Sequence, residues 1–181
     1  QWTKEELRKE TRFADLLLIS EELYGKNIYE KQPNALMRSA LHESECPVLI
    51  LPENIKEVER LVFAYDGQME SVFALKQFCY LFPQYADIPI EMVYIKDEAT
   101  GEIPDKDLLS EFTGSHFSNL SFSKLHFDPG TLFSTWIENK INVLLISGAF
   151  SRSPLSNSLR KSFVEGIIQD HSLPVFISHH V

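Results

Sequence analysis

The residues best suited to chemistry lie in one stretch, "LLISGAFSRSPLSNSLRKSF", from Leu144 to Phe163. An apolar run opens through Gly148 into a segment that carries Ser151, Arg152, Arg160, Lys161 and Ser162 and leads into helical sequence. A strand that releases through glycine into a helix surrounds an anion with backbone N–H groups, the helix dipole and hydroxyl donors. Such a segment can hold a phosphate. Arg152, Arg160 and Lys161 would add charge-assisted hydrogen bonds. They read equally well as solvated charges on a loop and a helix face.

Other chemistry has less behind it. His179-His180 has no third ligand spaced beside it, so the pair reads as a strand end in solvent and no metal site is expected. His42, His116, His126 and His171 are scattered, and the sequence contains no Gly-x-Ser-x-Gly nucleophile elbow. Cys46 and Cys79 lack CxxC spacing and sit in apolar surroundings, which predicts two reduced thiols in a cytoplasmic protein. Ser147, Ser151, Ser153, Ser156, Ser158 and Ser162 could accept a phosphoryl group, although serine-rich loops are usually only loops. No catalytic residue is assigned.

The 181 residues suffice for one domain and part of another, and 44% hydrophobic with 24% charged residues is a globular composition. A formal charge of −9 repels nucleic acid and anionic membrane, so neither is expected as a partner. No apolar run approaches the roughly 20 residues that span a bilayer. The chain begins Gln-Trp-Thr, without Met or a signal sequence, and is expected to be a piece of a longer polypeptide.

The elements that must position the loop emerge from an internal repeat. Leu17-Leu18-Ile19-Ser20 recurs as Leu144-Leu145-Ile146-Ser147, and Pro47-Val48-Leu49-Ile50 recurs as Pro174-Val175-Phe176-Ile177, both at an offset of 127. The repeat predicts a complete unit over 57–181 and the C-terminal half of another over 1–52, joined by "LPENIKEVE". Within the complete unit, strands are predicted at 60–65, 88–95, 122–127, 141–147 and 173–178. Helices are expected at 71–82, 105–117, 130–138 and 154–170. The half-unit reads as helix 3–12, strand 16–20, helix 35–43 and strand 47–51. Strands alternating with helices make an α/β fold, a doubly wound parallel sheet in a three-layer sandwich.

With that topology, the residues resemble the universal stress protein family over nearly the whole chain. Asp66-Gly67 after the first strand of the complete unit is similar to that family's Asp-Gly-Ser, with Gln68 in the serine's place. Ser71 and Ala74-Leu75 follow at the family's spacing, "VLLISGAFSRS" resembles its fourth strand and loop, and "LPVFIS" its closing strand. Cys46-Pro47-Val48-Leu49-Ile50 keeps the closing motif in the half-unit. The resemblance implies a five-stranded sheet in order 3-2-1-4-5 and a tandem protein whose units pair through their last strands. Those strands are Val48, Leu49, Ile50 and Leu51 in one unit and Val175, Phe176, Ile177 and Ser178 in the other. It implies pairing within the chain or self-association.

The family's nucleotide-binding branch carries Gly-x2-Gly-x9-Gly-Ser/Thr. Those positions fall here on Gly148, Ser151, Lys161 and Ser162, so two of the four are kept. Asp66 would face the nucleoside at the carboxyl end of its strand, and Val93 would back the adenine. Read alone, Asp66 is a turn or helix-cap aspartate and Val93 a core valine. In the half-unit the loop positions become Glu21, Tyr24, Asn34 and Ala35, where a carboxylate repels phosphate and the last hydroxyl is gone. The expectation is therefore a non-catalytic regulatory module with a degenerate nucleotide site. An ATP-binding switch or weak ATPase is the alternative, and ATP the one cofactor implied.

Overall fold

A computed structural model describes residues 3–20, 35–95, 101–125, 136–137, 140–148 and 173–178. The first helix, α1 (Lys4–Thr11), begins on a reciprocal cap: Thr3 Oγ1 accepts the Glu6 N–H at 3.2 Å, and the Glu6 carboxylate accepts the Thr3 N–H at 2.8 Å. Helix α2 (Ala35–Glu43) lies beside it. Lys4 and Arg8 both reach Glu43, and Arg12 grips Glu45 with two bonds of 2.7 and 2.9 Å. Strands β1 (Leu17–Ser20) and β2 (Val48–Leu51) complete this N-terminal part.

After an irregular stretch from Pro52 to Glu59, the chain continues as β3 (Arg60–Tyr65), α3 (Met69–Leu81) and β4 (Ile90–Ile95). Helix α4 (Lys106–Gly114) and strands β5 (Leu120–Leu125), β6 (Val143–Gly148) and β7 (Val175–Ser178) follow. The seven strands among the described residues form one sheet, ordered β1-β2-β7-β6-β3-β4-β5. From β5 to β7 every neighbour is parallel, and the chain order along this stretch is the expected 3-2-1-4-5. The sheet does not stop at five strands, however. Strand β2 pairs antiparallel with β7 (Val48↔Ile177, Leu49↔Phe176, Ile50↔Val175), and β1 pairs parallel with β2. The carboxyl ends of β1 and β2 therefore share an edge with the amino ends of β3 to β7.

Side chains alternate between two apolar layers. Leu61, Phe63 and Tyr65 of β3 face α3 with Leu144, Ile146 and Phe176, while Val62, Val93, Leu145, Val175 and Ile177 face the opposite side. Strand β6 is buried at all six positions, as a central strand covered on both faces must be. Phe176 has no exposed surface and meets the Phe78 and Phe82 rings edge-on at 5.3 and 5.8 Å. It ties the β2–β7 seam to α3.

Two local expectations change. Strand β5 lies at 120–125 instead of 122–127, because parallel pairing with β4 matches Ile90 to Leu120 and the Ile90 N–H bonds Asn119 O. Apolar alternation continues to Phe127 in sequence, but the partner strand decides where the ladder starts. Helix α4 starts after Asp105 as expected, yet Asp105 has φ of +51° and its side chain caps nothing. The helix expected at 130–138 is described only at Trp136 and Ile137, and the helix expected at 154–170 lies outside the described residues.

Candidate functional site

Strands β3 and β6 are neighbours, and the chain leaves them in opposite directions across the sheet: β3 leads to β4, β6 to β7. Open α/β sheets bind ligands at such a switch point, beyond the carboxyl ends of the strands. Asp66 follows β3, and Gly148 ends β6. One ladder row reads Val93–Ala64–Ser147, so Val93 flanks β3 on the side away from Gly148.

Asp66 is committed to the local backbone. Its Oδ1 accepts the Gln68 N–H at 3.1 Å and also the Ser71 hydroxyl. These bonds close a turn and place the carboxylate against the first turn of α3, where the helix dipole favours negative charge. Gln68 occupies the helix cap with no side-chain cap bond of its own, and Asp66 fixes the entry to α3 through the Gln68 N–H and the Ser71 hydroxyl. Gly67 sits at φ +82°, where a side chain would be strained, and a Cβ there would also meet Pro104 Cγ at 3.3 Å.

Gly148 is explained by packing. A Cβ on it would stand 2.9 Å from the Glu70 carbonyl and closer still to the Ser71 nitrogen, so the backbone of β6 touches the first turn of α3. Ser147 is buried, and its hydroxyl donates to the Gly148 carbonyl at 3.1 Å. Val93 has no exposed surface and belongs to the core layer of Val62 and Ile137. Its side chain offers no wall to solvent.

Two hydroxyls lie near this edge: that of Tyr65, which sequence reasoning passed over, and that of Ser178, which it named only as part of a pairing strand. Ser178 is the ladder partner of Gly148, and its Oγ is buried with no hydrogen-bond partner among the described residues. The Tyr65 hydroxyl is likewise buried with no partner among the described residues, its ring between those of Phe63 and Tyr94. Burial holds the Tyr65 phenol above its ordinary range, with the Asp105 and Tyr94 charges adding to the effect. Strand alternation places Ser178 on the face of Phe176, which was readable, but nothing in the sequence shows that its hydroxyl is buried away from every described partner.

The loop residues Ser151, Arg152, Arg160, Lys161 and Ser162 lie outside the described residues, as do His179, His180, Glu21, Tyr24 and Asn34. Cys46 and Cys79 are buried and free, and burial pushes the Cys79 thiol up to about 12. Among the described residues, no group of three His, Cys, Asp or Glu could hold a metal, and no helix is long and apolar enough to cross a membrane.

A second polar group was missed at the opposite, amino edge. Glu91 of β4 accepts from Lys140 Nζ at 2.8 Å and from the Ser123 hydroxyl at 2.5 Å, and Lys140 Nζ stands 4.1 Å from the centre of the Trp136 ring. Burial alone would raise the Glu91 carboxyl, but Lys140 and Ser123 outweigh it and hold the group below its ordinary range. The signal was a glutamate inside the apolar run "IPIEMVYI", since a buried carboxylate needs a partner.

The sequence matches no protein-family model, and no curated protein sequence matches it. Solved structures do. A universal stress protein from Archaeoglobus fulgidus superposes with a TM-score of 0.69 at 16% identity, covering 98% of this chain and 65% of its own. A functionally unknown protein from Pseudomonas aeruginosa gives 0.60 at 13% identity, over 98% of this chain and 67% of its own. The chain thus spans about two thirds of the length of these proteins. It has the universal stress protein fold.

Proposed function

We propose that this chain is a regulatory module of the universal stress protein type, without catalytic chemistry, which acts through the pairing of its two repeats. The observation that carries the reading is the antiparallel β2–β7 ladder, in which the last strands of the two repeats complete each other's edge within one sheet. In this reading the nucleotide loop of the second repeat is degenerate. Supporting it, Asp66 serves the start of α3, Gly148 is required by packing, and Val93 is core. Ser151 and Lys161 stand where the resemblance expects glycines.

One observation favours the alternative of an adenine-nucleotide switch or weak ATPase. Asp66 follows and Gly148 ends adjacent strands at the switch point, and the Ser178 hydroxyl, without a partner among the described residues, lies beside Gly148. Calorimetric titration of ATP into the intact chain separates the two. The regulatory reading expects no saturable heat up to about 5 mM ATP, an affinity weaker than roughly 3 kcal/mol. Saturable binding that weakens in the Arg152→Ala/Ser162→Ala double variant would replace it with the switch. Gly148→Val, the obvious variant, is unsuitable because its side chain would strike α3.

A further inference from the structure

Strand β1 has one strand neighbour, β2, among the described residues, so its other edge lies open at the end of the sheet. One face of β1 is covered: Ile19 joins Leu7 of α1 and Met37, Ala40 and Leu41 of α2 in one apolar layer. The other face is not. Leu18 is 56% exposed, Ser20 is exposed, and Leu16 and Leu51 are only half-buried. The strand at the far end of the sheet, β5, carries Ser121, Ser123 and Lys124, and polar and charged groups blunt an edge against further pairing. Strand β1 reads Leu-Leu-Ile-Ser, with no charge, and the same four residues recur in β6, where every position is buried. Such a run belongs to a strand that is flanked on both sides and covered on both faces.

The second repeat shows what covers it. Leu18 lies across from Leu49 as Ile146 lies across from Phe176, and Ser20 across from Leu51 as Gly148 across from Ser178. Leu18 therefore takes the place of Ile146, which has no exposed surface and packs with Leu75 and Phe78 of α3. The open edge of β1 takes the place of the edge where β6 pairs parallel with β3. The correspondence slips by one residue within the first repeat. Strands β2 and β7 are related by an offset of 127 in sequence, but the ladders relate β1 to β6 by 128. Ser20 thus stands where Gly148 stands, not the Glu21 that the sequence offset predicts. A Cβ on Gly148 would come within 2.9 Å of the Glu70 backbone in α3. Ser20 carries that atom, so a helix over β1 must begin farther from its strand than α3 does.

We propose that the open edge and bare face of β1 take up a strand–helix segment of the same polypeptide, lying ahead of residue 1. Its strand pairs parallel with β1 as β3 does with β6, and its helix covers Leu18 as α3 covers Ile146, displaced outward by Ser20. In the second repeat the covering segment precedes β6 in the chain, which points to preceding polypeptide as the source. The Archaeoglobus fulgidus and Pseudomonas aeruginosa proteins each keep about a third of their length outside the superposed part, enough for such a segment.

Thiol labelling of Leu18→Cys tests the assignment, because Leu18 is exposed while Cys46 and Cys79 are buried. The second repeat supplies the probe: residues 57–129 are placed a second time directly ahead of Trp2, which reproduces the 128-residue spacing. In the 181-residue chain the introduced thiol should react freely, at a rate that does not depend on protein concentration. In the extended chain it should be protected about tenfold or more, as for a site open less than about a tenth of the time. Adding Ser20→Gly should deepen the protection, since the repeated α3 sequence can then seat as α3 does on Gly148. Equal labelling of the 181-residue and extended chains, with Ser20→Gly present to admit the probe's helix, overturns the proposal. A rate that falls with concentration in the 181-residue chain gives the edge to a second copy and overturns it too.

Discussion

The backbone nitrogen of Ser71 lies where the first side-chain atom of Gly148 would come within 2.8 Å of it. The contact fixes how closely the start of α3 can approach the end of β6. Gly148→Ala should therefore destabilise the fold by about 1–3 kcal/mol through overpacking, whatever the loop beyond it binds. Urea unfolding of the variant in the absence of nucleotide measures this, and an unchanged midpoint would refute it.

Asp66 gives a second prediction. Asp66→Ala removes the acceptor for the Gln68 N–H and the Ser71 hydroxyl, and Gln68 offers no replacement cap. The expected cost is about 0.5–2 kcal/mol, in the range of a lost helix cap. Asp66→Asn keeps an acceptor and should recover most of it.

How much of this was legible depends on range. The repeat of Leu17–Ser20 at Leu144–Ser147 was visible because the same four-residue apolar run recurs, although only its second copy is a central strand buried on both faces and the first lies at the sheet edge. The Asp66 turn was visible because Asp-Gly encodes it locally. Gly148 was different: a glycine says that a side chain is unwelcome, but not whether phosphate or α3 excludes it. The Glu91–Lys140 pair joins residues 49 apart, and only the fold brings them together. Strand β5 was misplaced by two residues because β4, not the alternation in β5 itself, sets its register.

The Glu91–Lys140 pair predicts a pH dependence. Glu91 titrates below its ordinary value in the folded chain, so its contribution is fully present above the unfolded carboxylate range. It is lost as pH falls through the depressed folded value. Lys140→Met leaves a largely buried carboxylate with the Ser123 hydroxyl and the more distant Arg60 charge but no ion-pair partner in contact, and should cost about 2–4 kcal/mol at neutral pH. Below about pH 4, protonation of Glu91 relieves the unpaired charge and the deficit should shrink. Unfolding free energies at pH 7 and pH 3.5 check both halves, and a deficit that does not depend on pH contradicts the assignment.

The clasp between α1 and α2 should loosen in acid as well. Bonds from Lys4 and Arg8 hold the Glu43 carboxyl below its ordinary range, and Arg12 does the same to Glu45. The clasp is therefore complete above the usual carboxylate range and fades as pH drops through the depressed values. Amide protection in α1, taken relative to the intrinsic exchange rate at each pH, should fall at low pH and with added salt, ahead of the sheet.

Phe176→Ala should be the most damaging of these substitutions, at about 3–5 kcal/mol. It empties a fully buried site between Phe78 and Phe82, on the strand that carries the seam. Protection of Leu49, its ladder partner, should fall with it.

The seam also sets a timetable for synthesis. Ile50 pairs with Val175, so β2 is made about 125 residues before its partner exists. At about 5–20 residues per second, its apolar backbone edge waits roughly 6–25 s on the ribosome with nothing to pair with. Nascent chains truncated before Val175 should therefore depend on holdase chaperones, and release of that dependence should coincide with the emergence of the last strand.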